Sequence, residues 1–504
     1  MPDIQFHVAD AGTPLVPYWT MLTTAGRAAE GLRDEWRWQL RAVQQKIGFS
    51  YIRFHGLLHD DMMIYREEAD GTPVYNWQYL DSLFDFLLEV GVRPFVELGF
   101  MPSALRSDEK TVFWWKGQIS PPRDMARWRE LVSALVRHCI NRYGLQEVRQ
   151  WYFEVWNEPN LHDLFWSGSQ ADYFALYQAT AQTIKAIDPH LRVGGPATSN
   201  FDPDGRAPWV EEFLAYCAEH ALPLDFISTH PYPNSWPMDS GGNQRMAYRD
   251  AKSTCQDLHW LRNTVDASVF PGIEIQLTEW NSSPSPRDLV HDTAFMAPFI
   301  VQNLVWGRGL VDSLGFWTFT DVFEENAAGD TIFHGGFGLI NGQGLKKPAF
   351  HAYRLLSKLG GEEVAAGDNY IVTRSADAIQ VLLWNYCHYT DAFANGDRSQ
   401  LTEHDRYRIF ADHGPLPFKL TVDGLAGARW KCTHSTLDRT HGSVYDAWLA
   451  MGAPANPTPD ELAYLERQSG PTLQVSWCEG QETLQQDISV APHGVVLVEL
   501  QREY

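Results

Sequence analysis

Between residues 17 and 358 the chain repeats one pattern eight times: a short apolar run rich in β-branched residues, then a longer stretch with helical spacing. Such alternation marks βα units wound around a parallel sheet, because neighbouring parallel strands need a crossover long enough to hold a helix. The runs fall at 19–24, 51–55, 93–98, 151–156, 192–195, 225–229, 273–278 and 314–319. The clearest helical stretch places Leu80, Leu83, Phe84, Leu87 and Leu88 on one face and stops at Gly91. Less regular patterns cover 33–47, 125–143, 172–187, 208–221, 247–264, 291–308 and 349–358. Eight such units predict an α/β chain built on a (β/α)8 TIM barrel over 15–358, a fold that carries its chemistry at the C-terminal ends of the strands.

Beyond Gly360-Gly361 the pattern changes to strand-like runs at 370–373, 378–384, 418–422, 473–477 and 495–499, separated by polar loops. These predict an accessory β-sandwich over 359–504, to which residues 1–14 are expected to lend a strand at 4–8. The 63 acidic and 40 basic residues leave a net charge of -23, which offers no footprint for nucleic acid. No apolar stretch reaches membrane-spanning length, and the first ten residues lack the basic start and apolar run of a secretory signal. The expectation is a cytoplasmic chain, or a periplasmic one had a signal been removed. Six scattered cysteines without a CxxC pair suggest reduced core thiols rather than a disulfide frame or zinc knuckle.

Two carboxylates stand at expected strand ends. The fourth run leads into Asn157-Glu158-Pro159-Asn160 and the seventh into Glu279-Trp280-Asn281. A Glu closing an apolar strand is disfavoured by propensity and desolvation, so it needs a partner or a task. Either Glu alone could be the partner of an arginine such as Arg53. Strands four and seven, however, face each other across a barrel, so carboxyls at both tips can address one substrate, which suits glycoside cleavage by an acid and a nucleophile.

The strings Phe54-His55-Gly56-Leu57, Glu154-Val155-Trp156-Asn157-Glu158-Pro159-Asn160-Leu161, Ser228-Thr229-His230-Pro231-Tyr232 and Leu277-Thr278-Glu279-Trp280-Asn281 resemble glycoside hydrolase family 39. The likeness runs on through Phe316-Trp317-Thr318-Phe319-Thr320-Asp321, and the best-known members of that family are bacterial β-xylosidases. The resemblance implies that Glu158 is the general acid/base, Glu279 the nucleophile and Asn157 a partner of the sugar 2-hydroxyl. It further implies that His55 binds a sugar hydroxyl, that His230 sits near the acid/base, and that Tyr232 borders the sugar or the nucleophile. Of the pair Glu324-Glu325, it suggests that one member, with Glu324 preferred, bonds sugar hydroxyls; the alternative is a solvated acidic face.

Trp317 is the candidate stacking floor for the sugar, set against plain packing, and Phe165 and Trp166 are candidates for the entrance. The Gly-rich run His334-Gly-Gly-Phe-Gly-Leu339 is expected to shape the rim. No HxH, HExxH or phosphate-loop spacing appears, so neither metal nor cofactor is expected. The leading expectation is an exo-acting retaining β-D-xylosidase working on xylo-oligosaccharides. Alternatives are another retaining specificity, such as an α-L-iduronidase-like or exopolysaccharide hydrolase, and a non-catalytic carbohydrate-binding barrel. An iduronidase should offer a Lys or Arg cluster for its substrate's carboxylate. Family members are often homo-oligomers, although no interface is visible in this sequence.

Overall fold

Eight parallel strands close into a barrel in the computed structural model, which describes residues 2–199, 208–237, 245–325 and 329–503. They are β1 (Leu22–Arg27), β2 (Tyr51–His55), β3 (Arg93–Glu97), β4 (Tyr152–Glu154), β5 (Arg192–Ser199), β6 (Phe226–His230), β7 (Glu274–Trp280) and β8 (Ser313–Phe316), hydrogen-bonded in that order around the ring. Each is followed by a helix: α1 (Asp34–Lys46), α2 (Gln78–Glu89), α3 (Met125–Tyr143), α4 (Gln170–Ile187), α5 (Trp209–Glu219), α6 (Ser253–Ala267), α7 (Met296–Trp306) and α8 (Pro348–Leu356). Two of the eight start at side-chain caps that the sequence supplies. Asp124 accepts the amides of Ala126 and Arg127 at the head of α3, and Ser169 with Asp172 forms a capping box on α4.

Several bounds differ from the sequence expectation, each for a local reason. Pro17 starts a tight turn over Tyr18–Thr20, so β1 begins at Leu22 rather than residue 19. β4 ends at Glu154 because Trp156 takes φ 73°, outside any strand. β5 runs past Pro196 to Ser199 because a register shift between Pro196 and Thr198 absorbs the missing amide. The stretch 247–252 is not helical: Ala247–Tyr248 pairs with Asn234–Ser235, and α6 starts at Ser253.

The barrel interior is layered. Leu22, Tyr51, Phe95, Tyr152 and Phe226, all from the lower strand ends, form a closed apolar floor in which the Phe95 and Tyr152 rings stack at 4.8 Å. Because side chains alternate across a strand, the next inward residues of β2, β3 and β4 are Arg53, Glu97 and Glu154. The polar layer therefore lies directly above the floor.

The C-terminal region forms two sheets around a shared core that includes Ile4, Phe6, Val381, Phe418, Leu420 and Val498. One has seven strands, in the order Thr13–Pro14, Glu362–Gly367, Tyr370–Arg374, Ala378–Trp384, Val495–Glu503, Arg429–Leu437 and Thr472–Glu479. The other holds Asp3–His7 beside Leu416–Asp423, in parallel with Ile4 opposite Leu420, and Thr483–Val490. The helices Val444–Ala450 and Pro459–Gln468, absent from the sequence expectation, lie between strands of this region. All six cysteines are free thiols, and no described helix is long and apolar enough to cross a membrane.

Candidate active site

Arg53 organises the polar layer. Its side chain is fully buried, and its guanidinium donates to Glu154 Oε2 at 2.6 Å, to Glu279 Oε1 at 2.7 Å and to Asn157 Oδ1 at 2.8 Å, with Glu97 Oε2 at 2.9 Å. Its pKa is raised, because the three neighbouring carboxylates outweigh the burial that opposes its charge. The Asn157 carbonyl is thus spent on Arg53, which leaves the amide nitrogen to face the cavity.

Glu158 reaches the mouth through an unusual backbone. Trp156 at φ 73° and Glu158 at φ 44° both occupy the left-handed region, at a typical cost of about 1–3 kcal/mol each. The turn is held by the Glu158 amide on Ala197 O at 2.8 Å and the Trp156 indole N–H on Phe165 O at 2.8 Å. Glu279 arrives differently. Strict alternation would send Thr278 and Glu279 to opposite faces of β7, but the β7–β8 register shifts between Leu277 and Trp280, and both turn inward. One carboxylate oxygen of Glu158 and one of Glu279 lie within 4.8 Å of each other.

A relay of hydrogen bonds fixes the protons. The Thr278 hydroxyl donates to Glu154 Oε1 at 2.8 Å, so its lone pair must accept from His230 Nε2 at 3.1 Å. Burial depresses His230 to about 4, keeping the ring neutral, so Nδ1 is left as an acceptor 2.8 Å from Glu158 Oε1. That acceptor calls for a protonated Glu158, whose pKa burial has pushed up to about 7. His55, depressed to about 4 by burial, shares one proton with Glu97 across 2.6 Å and turns Nε2 toward Glu279 Oε1 at 3.5 Å. Tyr232 donates to Glu279 Oε2 at 3.0 Å.

These groups open onto a cavity of about 780 Å³. Its wall includes His55, Asn157, Glu158, Tyr232, Glu279 and Trp317, together with Phe113, Phe165, Trp236, Glu325 and Pro284–Pro286. His230 stands behind Glu158, fully buried. Trp317 is braced by His55, with ring centres 4.8 Å apart, and by Phe323 at 6.0 Å. Phe165 lines the entrance, but Trp166 is buried against Trp156 at 5.0 Å. The acidic pair corrects the sequence preference: Glu324 is drawn off by Arg27 and Arg33, and Glu325 takes the cavity wall, 3.8 Å from His55 Nε2. Burial and the surrounding carboxylates of Glu279, Glu30, Glu158 and Glu97 hold the Glu325 carboxyl far above the usual range.

Sequence reasoning passed over Glu97, Glu154, Thr278 and Glu30. The available signal was charge inside an apolar strand for the first two, and the hydroxyl next to the motif Glu for the third. Glu30 accepts the backbone amide of Glu324 at 2.8 Å and so anchors the acidic loop. Among the described residues, Glu158, His230 and Glu279 form the one trio of metal-ligand type. Both nitrogens of His230 are already hydrogen-bonded and Glu279 already carries Arg53, so the trio is built as an acid–base group rather than a cation cage.

A family model described as glycosyl hydrolases family 39 matches residues 3–482. A β-xylosidase of Geobacillus stearothermophilus is 44% identical over 374 residues, covering 73% of each chain. A β-xylosidase of Caldicellulosiruptor saccharolyticus is 37% identical over 495 residues, covering 95% of this chain and 94% of its own. The solved structure of a monomeric β-xylosidase from Caulobacter crescentus CB15 superposes with a TM-score of 0.88 at 35% identity, over 99% of both chains.

Proposed function

The chain belongs to glycosyl hydrolases family 39, and on that premise we propose that it is an exo-acting retaining β-D-xylosidase, releasing xylose from xylo-oligosaccharides by double displacement. Glu158 is the general acid/base and Glu279 the nucleophile. In the first step a Glu279 oxygen bonds to the anomeric carbon while the glycosidic C–O bond breaks and the departing oxygen takes the proton of Glu158. Forming the ester removes the negative charge of Glu279, so the pKa of Glu158 falls and its carboxylate draws a proton from water. That water oxygen bonds to the anomeric carbon, the ester bond breaks, and Glu279 leaves as carboxylate with Glu158 protonated again. Arg53 and Tyr232 hold Glu279 for attack, Asn157 offers its amide to the 2-hydroxyl, and Trp317 is the floor under the sugar.

One observation carries this reading: carboxylate oxygens within 4.8 Å of each other on the wall of one cavity. That closeness fits the carboxyl separation of about 5–5.5 Å of a retaining pair better than the about 6.5–9.5 Å by which an inverting pair makes room for a water. The acidic side chains on the described wall are Glu158, Glu279 and Glu325, and no Lys or Arg stands among its residues, which favours a neutral glycone over a uronic acid. The test is hydrolysis of p-nitrophenyl β-D-xyloside by the wild type, lost in Glu279→Ala and restored by azide with release of the α-xylosyl azide. Failure of the wild type on xylosides, or a β-azide from Glu279→Ala, overturns the assignment.

A further inference from the structure

We propose that Arg406, which lies in the C-terminal region outside the barrel, is a positioning residue for the substrate cavity, because its buried guanidinium ties the loop after β7 to the loop after β8. The proposal rests on the cavity being the glycosidase site assigned above. Arg406 sits between the accessory strands Ala378–Trp384 and Leu416–Asp423, and its side chain is fully buried. Nε is anchored to its own segment at Glu403 O, 3.0 Å away. Nη1 donates to Leu289 O and Asp292 Oδ2, each at 2.8 Å, in the loop after β7. Nη2 donates to Phe333 O at 2.6 Å, in the loop after β8. The rigid guanidinium fork makes these contacts together, which a single ammonium cannot do.

Both clamped loops bear on the cavity wall, the first by supplying part of it and the second by packing behind the wall residue Trp317. The first carries Pro284, Ser285 and Pro286. The second carries Phe337, whose ring lies 5.4 Å from Phe323 and 6.4 Å from Trp317. Phe337 is pinned from both sides. Lys347 Nζ donates to Gly336 O at 2.9 Å while pairing with Asp292 at 2.7 Å and Asp321 at 2.6 Å. Asp321 in turn accepts the Gly338 amide at 2.6 Å. The glycines of His334-Gly-Gly-Phe-Gly-Leu339 leave no slack: a Cβ on Gly336 would sit 2.4 Å from Asp321 Oδ1, and one on Gly335 2.5 Å from the Asp288 carbonyl carbon.

Two buried acids and two buried bases balance in charge, and none of the four lines the cavity. A buried ionic cluster adds little stability over apolar packing of the same volume, so its use here is to fix one arrangement of two loops.

The test compares Arg406→Met, Arg406→Lys and Phe337→Ala with the wild type, by steady-state hydrolysis of p-nitrophenyl β-D-xyloside and by amide hydrogen exchange. Arg406→Met is expected to raise KM by on the order of tenfold with a smaller fall in kcat, through loss of wall placement. The alkaline limb of its pH profile stays in place. Exchange quickens in both 283–293 and 329–341 and stays unchanged in the barrel strands, while Arg406→Lys falls between. Phe337→Ala reproduces the KM rise without quickening 283–293. A folded Arg406→Met with wild-type KM and wild-type exchange overturns the proposal. If Arg406→Met does not fold, a wild-type KM in Phe337→Ala overturns it. A wild type inactive on xylosides sinks the glycosidase specificity alone, and the exchange comparison still decides whether Arg406 braces the two loops.

Discussion

At the scale of single residues, the proton on Glu158 is governed by groups that never touch substrate. The chain Glu154–Thr278–His230 presents a lone pair to the Glu158 carboxyl. Thr278→Val removes the hydroxyl that fixes the His230 tautomer, so Nδ1 can take the proton and donate to an ionised Glu158. The fall of kcat/KM on the alkaline side, expected near the Glu158 pKa of about 7, should therefore move to lower pH in a pH–rate series. Glu158→Gln should abolish that limb and cut kcat/KM on xylobiose by about 10²- to 10⁴-fold, since a poor leaving group needs the proton. The two carboxylates were legible in the sequence because glutamates at the ends of apolar strands are rarely idle. Arg53 entered only as a possible partner, since a charge within a strand does not announce which face it takes. The choice between Glu324 and Glu325 was out of reach for another reason: two arginines from the other end of the barrel sequence, Arg27 and Arg33, decide it.

Strands and helices were read well where period and punctuation agree, as in α2, whose Leu80, Leu83, Phe84 and Leu87 are all buried. They were misread where a tertiary partner overrides the local signal. Ala247–Tyr248 sits in a helical pattern but pairs as a strand, and Arg429–Leu437 and Thr483–Val490 alternate too weakly to stand out. β5 depends on glycine for a reason its pattern does not reveal. At Gly194 a Cβ would lie 2.2 Å from the Phe226 carbonyl oxygen of β6, a contact between backbones that no rotamer relieves. Gly194→Ala should therefore force the fifth and sixth strands apart and cost about 3 kcal/mol. Chemical denaturation would read this as a lowered midpoint at unchanged slope.

For the molecule as a whole, the polar layer sets how stability responds to pH. Glu30 and Glu97 are pushed up to about 8, Glu158 to about 7 and Glu325 well above its ordinary value, chiefly by burial. A folded pKa raised above the ordinary 4.5 means that the native state keeps protons which the unfolded chain releases. This contribution is full below about pH 4.5 and is lost as pH rises through about 7 to 8. Asp292, depressed to about 2 by Lys347 and Arg406, acts in the opposite sense, and its contribution fades only as pH falls from the ordinary 3.8 through about 2. Thermal unfolding scanned from pH 5 to 9 should show Tm falling across the neutral range, and Glu325→Gln should flatten the slope. The barrel with its βα order was legible because eight repeats reinforce one another. The C-terminal sheets were legible only in outline, because their strands find partners far along the chain. Gln5 bonds Asp423 across 418 positions, within the parallel pair of Asp3–His7 and Leu416–Asp423. At a synthesis rate of about 5–20 residues per second, the first strand emerges roughly 20 to 80 seconds before its neighbour exists. The barrel can close in that interval, and the leading segment must wait outside it, uncommitted, until the tail of the nascent chain arrives to receive it.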